Sequence, residues 1–167
     1  DDCVAFNESR QRLTQCFKGI FMENMGPLNL IEHNLANESW LDISLRKEEL
    51  EGLCGTFNGE KKIACWAILP KALLIRHRRN ISAVFDSCDS SSDREAALEC
   101  KLETISLLGV GINFDLNKTK KYCALDDAQF EQQCYKKLVE GKLNVLGQEG
   151  LDSIEFCSSL DKRFIQS

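Results

Sequence analysis

Apolar residues recur along this chain at helical intervals. Leu13, Cys16, Phe17, Ile20 and Phe21 stand at i, i+3, i+4, i+7 and i+8, which is one stripe of a helix, and Arg10, Arg12 and Lys18 fall off it. Gly26-Pro27 stops that helix. The mostly polar stretch from Leu28 to Ile43 reads as a long loop with one short turn at most. A second helix is expected from about Ser44 to Thr56, with Leu45, Leu50 and Leu53 as its apolar residues. Asn58-Gly59 interrupts it, because both residues tolerate positive φ. A third helix starts near Glu60 and carries Ile63, Cys65, Trp66 and Leu69. Pro70 fits the first turn of a further helix, where its missing N–H costs nothing, and the pattern carries that helix to about Phe85.

Capping signals mark the second half. Ser92-x-x-Glu95 precedes Ala97, Leu98, Leu102, Ile105 and Leu108, with Gly109 and Gly111 as breakers. Ile112, Phe114 and Leu116 alternate, but a strand without a partner is marginal, so they read as an extended loop. Asp126-x-x-Gln129 opens a helix that carries Phe130, Cys134, Leu138 and Val139, and Gly147 stops it. Asp152-x-x-Glu155 opens a last one with Ile154, Cys157, Leu160 and Phe164. The expectation is an all-α, disulfide-stapled bundle of five to seven helices, forming a single domain over residues 1–167.

Cysteine usage adds the compartment. Cys3, Cys16, Cys54, Cys65, Cys88, Cys100, Cys123, Cys134 and Cys157 are spread along the chain, and no two make a C-x-x-C pair. Zinc sites and dithiol redox motifs depend on such short chelating spacings, so neither is indicated. Wide spacing fits disulfides in an oxidising compartment, and the alternative is a reduced set of buried thiols. Cys54–Cys65 and Cys123–Cys134 are 11 residues apart, Cys88–Cys100 is 12 and Cys3–Cys16 is 13. Eleven residues of continuous helix rise about 16 Å, whereas bridged Cα atoms lie within about 7 Å. Either each loop folds back onto its own helix, or each cysteine staples to a different neighbour. Nine cysteines leave one over: buried and free, bridging a covalent homodimer, or paired outside this sequence. Cys3 and Cys157, nearest the termini, are the leading candidates.

Four sequons, at Asn7, Asn37, Asn80 and Asn117, point to the same compartment as N-glycosylation sites. The chain starts at Asp1 without a signal peptide and reads as a mature or trimmed form. Its longest apolar run, Ile63 to Ile75, has 13 residues interrupted by Pro70 and Lys71, short of the about 20 that cross a bilayer. No membrane insertion is expected, and no apolar tail marks an anchor. A net charge of −5 argues against nucleic acid as partner. Apolar content of 43% argues against disorder.

No motif names a reaction. His33 and His77 are the only histidines, and His77 lies in Arg76-His77-Arg78-Arg79. Neighbouring cations would keep it neutral and suited to be a base, but a solvated basic face is the plainer reading. Glu48, Glu49 and Glu51 look like an exposed helical face and Asp126 like a cap, not paired glycosidase acids. Asp86 to Asp93 could chelate a cation, or simply end in a helix cap. No cofactor is implied. Arg76, Arg78 and Arg79 with Lys118, Lys120 and Lys121 would form a cationic patch if the two clusters met in space, although Asn80 and Asn117 would place glycans beside it.

Leu50-Glu51-Gly52-Leu53-Cys54 leading to Cys65, followed by Cys88, Cys100, Cys123, Cys134-Tyr135 and Cys157, resembles a group of nematode secreted proteins that share a helical cysteine-rich domain of unknown function. The resemblance implies secretion and an all-α disulfide fold, and carries over no catalytic residue or ligand. The resulting expectation is a secreted, non-enzymatic module that binds an extracellular protein or receptor. The alternative is a carrier of a small apolar ligand, lined by the Trp66 to Ile75 segment.

Overall fold

The computed structural model describes residue 3 and residues 9–24, 52–110 and 116–146. Among them are seven α-helices and no strand: α1 (Arg10–Asn24), α2 (Gly59–Ile68), α3 (Pro70–Arg76), α4 (Ile81–Cys88), α5 (Arg94–Val110), α6 (Leu116–Cys123) and α7 (Ala128–Leu146). Residues 52–55 add one helical turn before α2. The fold is all-α and disulfide-stapled, as the periodicity and the cysteines indicate. The expected loop at Leu28 to Ile43 and the expected helix from Asp152 lie outside the described residues.

The chain groups into two compact units, Asp1–Lys101 and Leu102–Ser167. In the first, α1 packs on α2, and α3 packs on α4. The core gathers Trp66, Leu69, Leu73, Val84 and the cysteines at 54, 65, 88 and 100. Each such aliphatic side chain removed from water contributes about 1.5–3 kcal/mol. Helix α2 is buried on nearly every side from Lys62 to Ala67, so its sequence lacks the one-sided pattern of a surface helix. A second small cluster joins Cys3 and Phe17 to Ala64. In the second unit, α6 packs against α7, with Ile105, Phe130, Cys134, Tyr135 and Leu138 buried.

Several expectations shift. Pro70 does stand at the first position of α3, but that helix ends at Arg76 and does not run to Phe85. The amide of Arg79 donates to the carbonyl of Leu74 and that of Arg78 to the carbonyl of Ile75, closing the helix with the paired bonds of a left-handed C-terminal cap. Arg78 and Arg79 have φ of +50° and +61°, a region that costs a side-chain-bearing residue about 1–2 kcal/mol. No glycine announces this corner, so the sequence conceals it. Asn80 then caps α4 by accepting from the amide of Ala83.

The two described capping signals each act one residue later than expected. Asp93, not Ser92, caps α5, accepting from the amides of Glu95 and Ala96. Ser92 instead accepts from Lys62 Nζ. Asp127, not Asp126, caps α7 through the amide of Phe130. In each case the carboxylate that reaches the first-turn amides is the one directly before the helix, while Asp126 accepts from the amide of Asp127. Before α2, Leu53 is an exposed apolar residue. Gly59 there has φ of +56°, which suits glycine at the helix entry.

Candidate functional site

The cysteine pairing settles the choice between local and distant staples. Cys3–Cys16, Cys54–Cys65, Cys88–Cys100 and Cys123–Cys134 are bridged, with Cα atoms 5.5–5.7 Å apart. Each loop folds back onto its own helix. Cys16, Cys65, Cys100 and Cys134 each stand six residues after the first residue of their helix, namely Arg10, Gly59, Arg94 and Ala128. The same device is therefore built four times. At Cys54, Cys88 and Cys123 the chain leaves a preceding segment, turns, enters a helix, and is tied to that helix two turns in, and the Cys3 bridge meets α1 at the same depth. Side chains on a helix tilt toward its N-terminus, so a cysteine at this depth aims its sulfur back at the incoming segment. Cys88 and Cys123 are the last residues of α4 and α6, so these two staples lock helix to helix. Cys3 is bridged, which removes it as a candidate for the odd cysteine. With the other eight paired among themselves, Cys157 is the ninth, and it lies outside the described residues.

Charged contacts tie the helices of the first unit together. Arg10 forks between two carboxylates, Nε to Glu60 and Nη2 to Glu95, each at 2.7 Å, and so joins α1, α2 and α5. Hydrogen bonds to Glu95 and then Glu60 favour the charged guanidinium and raise the Arg10 pKa. The Glu60 carboxyl is held below its ordinary range, first by its own backbone amide at the start of α2 and then by Arg10. Lys18 lies off the apolar stripe of α1, yet it is buried and reaches Glu99 at 2.7 Å. Lys101, also buried, reaches Asp89 at 2.7 Å. In the second unit, Lys137 pairs with Glu103 at 3.3 Å.

The basic run between α3 and α4 is divided. His77 is half-buried, and its Nε2 lies 2.9 Å from Ser87 Oγ. Ser87 is itself buried, so this contact clamps the end of α3 to α4. Arg76 is half-buried while Arg78 and Arg79 are exposed, so the run is not the uniformly solvated face that its charge suggests. Lys120 is half-buried and Lys121 exposed at the end of α6, whose third residue is Lys118. The two basic clusters fall in different units.

Asn80 is exposed and Asn117 is the second residue of α6; Asn7, Asn37 and His33 lie outside the described residues, as do Glu48, Glu49 and Glu51. In the run from Asp86 to Asp93, Asp89 is engaged by Lys101 and Asp93 by the start of α5, so these two carboxylates serve separate ends. Among the described residues, no group of three or more His, Cys, Asp or Glu gathers as a metal site. The Trp66 to Ile75 segment supplies Trp66, Leu69, Ala72 and Leu73 to the core cluster, where the Trp66 indole N–H is buried without an acceptor. Among the described residues, no helix is long and apolar enough to cross a membrane.

No family model, curated protein or solved structure matches this chain.

Proposed function

We propose that this chain is a secreted, glycosylated module that binds an extracellular protein through a helical surface held rigid by its disulfides. The carrying observation is the fourfold repetition of one staple. Four bridges between short loops and their own helices persist only where thiols stay oxidised. Short staples fix the corner at which each helix begins, so side chains near these corners bind without a large ordering cost. The exposed sequon at Asn80 and the cysteine-spacing resemblance to nematode secreted proteins support the same compartment.

The test is secretion of the tagged chain from glycosylating eukaryotic cells, followed by native mass measurement and binding to an array of extracellular domains. Saturable binding by the oxidised protein, abolished after reduction and alkylation, is the expected result. Failure to bind any member, with a reproducible bound mass of small-molecule size lost on denaturation, would replace this reading with that of an apolar-ligand carrier.

A further inference from the structure

We propose that the Arg79–Asn80 peptide bond is a processing site for a secretory-pathway serine protease that reads paired arginines, and that a glycan on Asn80 shields it. The proposal rests on the secreted reading above. Arg76, Arg78 and Arg79 stand four, two and one residues before this bond. Three guanidinium groups in that pattern match a substrate groove lined by carboxylates, which holds arginine by charge-assisted, bidentate hydrogen bonds.

The corner supplies access. Arg78, Arg79 and Asn80 are all exposed. Two consecutive arginines hold left-handed φ values, +50° and +61°. A protease binds its substrate extended, so residues 76–80 must leave this conformation. Opening breaks the amide bonds from His77, Arg78, Arg79 and Asn80 to Leu73, Ile75, Leu74 and His77, together with the His77–Ser87 contact, and it draws out Arg76, which is half-buried at the end of α3 with its Nη1 enclosed. It also relieves the left-handed backbone. Exposed corners held by a few local bonds are where chains open and are nicked.

The staples decide what cleavage yields. None of the four bridges spans residues 79 and 80. Residues 1–79 keep Cys3–Cys16 and Cys54–Cys65, and residues 80–167 keep Cys88–Cys100 and Cys123–Cys134. The two pieces stay together without a covalent link. The core cluster draws Trp66, Leu69 and Leu73 from one and Val84, Ala96 and Cys100 from the other. Arg10–Glu95, Lys18–Glu99 and Lys62–Ser92 also cross the cut. The step is hydrolysis. The protease serine displaces Asn80 nitrogen from the Arg79 carbonyl, and that nitrogen takes up a proton. Water then adds its hydroxyl to the Arg79 carbonyl and returns a proton to the serine. The products are an Arg79 carboxylate and an Asn80 α-ammonium.

Asn80-Ile81-Ser82 is a sequon. An N-linked glycan uses Asn80 Nδ2 and leaves Oδ1 to accept from the Ala83 amide, so the cap of α4 survives modification. The sugar would occupy the residue just after the scissile bond and exclude the protease. Glycosylated chains then stay whole, and unglycosylated chains become the two-piece form.

The experiment uses purified full-length protein from glycosylating cells and a subtilisin-class protease specific for paired arginines. Ser82→Ala removes the sequon while keeping Asn80 as the cap. Arg79→Gly removes the recognised residue while suiting the left-handed φ. The expected result is that S82A is cut to two pieces, the second beginning at Asn80. They separate on a non-reducing denaturing gel and co-elute in native gel filtration. Glycosylated wild type is cut at least ~10-fold more slowly, and R79G stays whole. An S82A protein that resists the protease when native but is cut at Arg79 when unfolded would overturn the proposal, as would first cleavage elsewhere. Wild type without a glycan at Asn80, or cut as fast as S82A with one, would overturn the shielding. Because the protein is already purified, failure to be cleaved is distinct from failure to be secreted.

Discussion

Replacing both Cys88 and Cys100 with alanine removes a bridge that closes a loop of sequence separation 12. Chain entropy alone assigns about 3 kcal/mol to a loop of this length. Both sulfurs are fully buried within the core cluster, so the truncated site also loses packing, about 1 kcal/mol more. The expected loss is therefore about 3–4 kcal/mol. For a chain of this size that corresponds to a fall in melting temperature of roughly 6–16 °C. Urea unfolding followed by circular dichroism measures it, and the slope with denaturant should rise because the freed unfolded chain exposes more surface. The matched Cys3/Cys16 variant closes a loop of nearly equal length, separation 13, but Cys16 is only half-buried. Its loss should stay near the entropic value, about 3 kcal/mol. A Cys88/Cys100 variant that unfolds within about 1 kcal/mol of wild type would refute the reasoning. Such a result would mean that the unfolded chain already holds these corners closed.

Other outcomes follow from the same contacts. Leu73→Ala, at a site with no exposed surface in the core cluster, should lose about 2–5 kcal/mol in the same urea titration. Asp127→Ala should cost about 1 kcal/mol through loss of the α7 cap, and Asp126→Ala clearly less, which separates the two candidate caps by thermal melts. The Glu60 carboxyl is depressed in the folded state, so its contribution is complete above the ordinary carboxylate range and fades as pH falls through its lowered pKa. Glu60→Gln should flatten that acid limb of a stability–pH curve while leaving stability below the limb unchanged. Alkylation of the unreduced, denatured chain should leave eight cysteines protected, with peptide mapping linking the four pairs named above. A peptide joining cysteines from two different pairs would contradict the local staples.

The sequence by itself determined the helical class, because one-sided spacing such as Phe130, Cys134 and Leu138 depends only on neighbours along the chain. It located the start of α7 and of α5 to within one residue, since a cap needs only a carboxylate beside free amides. It also marked Pro70 as a helix start. Tertiary structure decided the rest. The spacing of 11 to 13 residues between cysteines left open which pairs bridge, because bridging requires knowing where the chain reverses. The reversal between α3 and α4 is made by two arginines in a left-handed conformation, and nothing local favours it without a glycine. Lys18 falls off the apolar stripe of its helix, yet Lys18, Lys62 and Lys101 are all buried, and that burial depends on Glu99, Ser92 and Asp89 arriving from other parts of the chain. Propensities and caps are short-range and written residue by residue. Partners that meet only after the chain has folded are not.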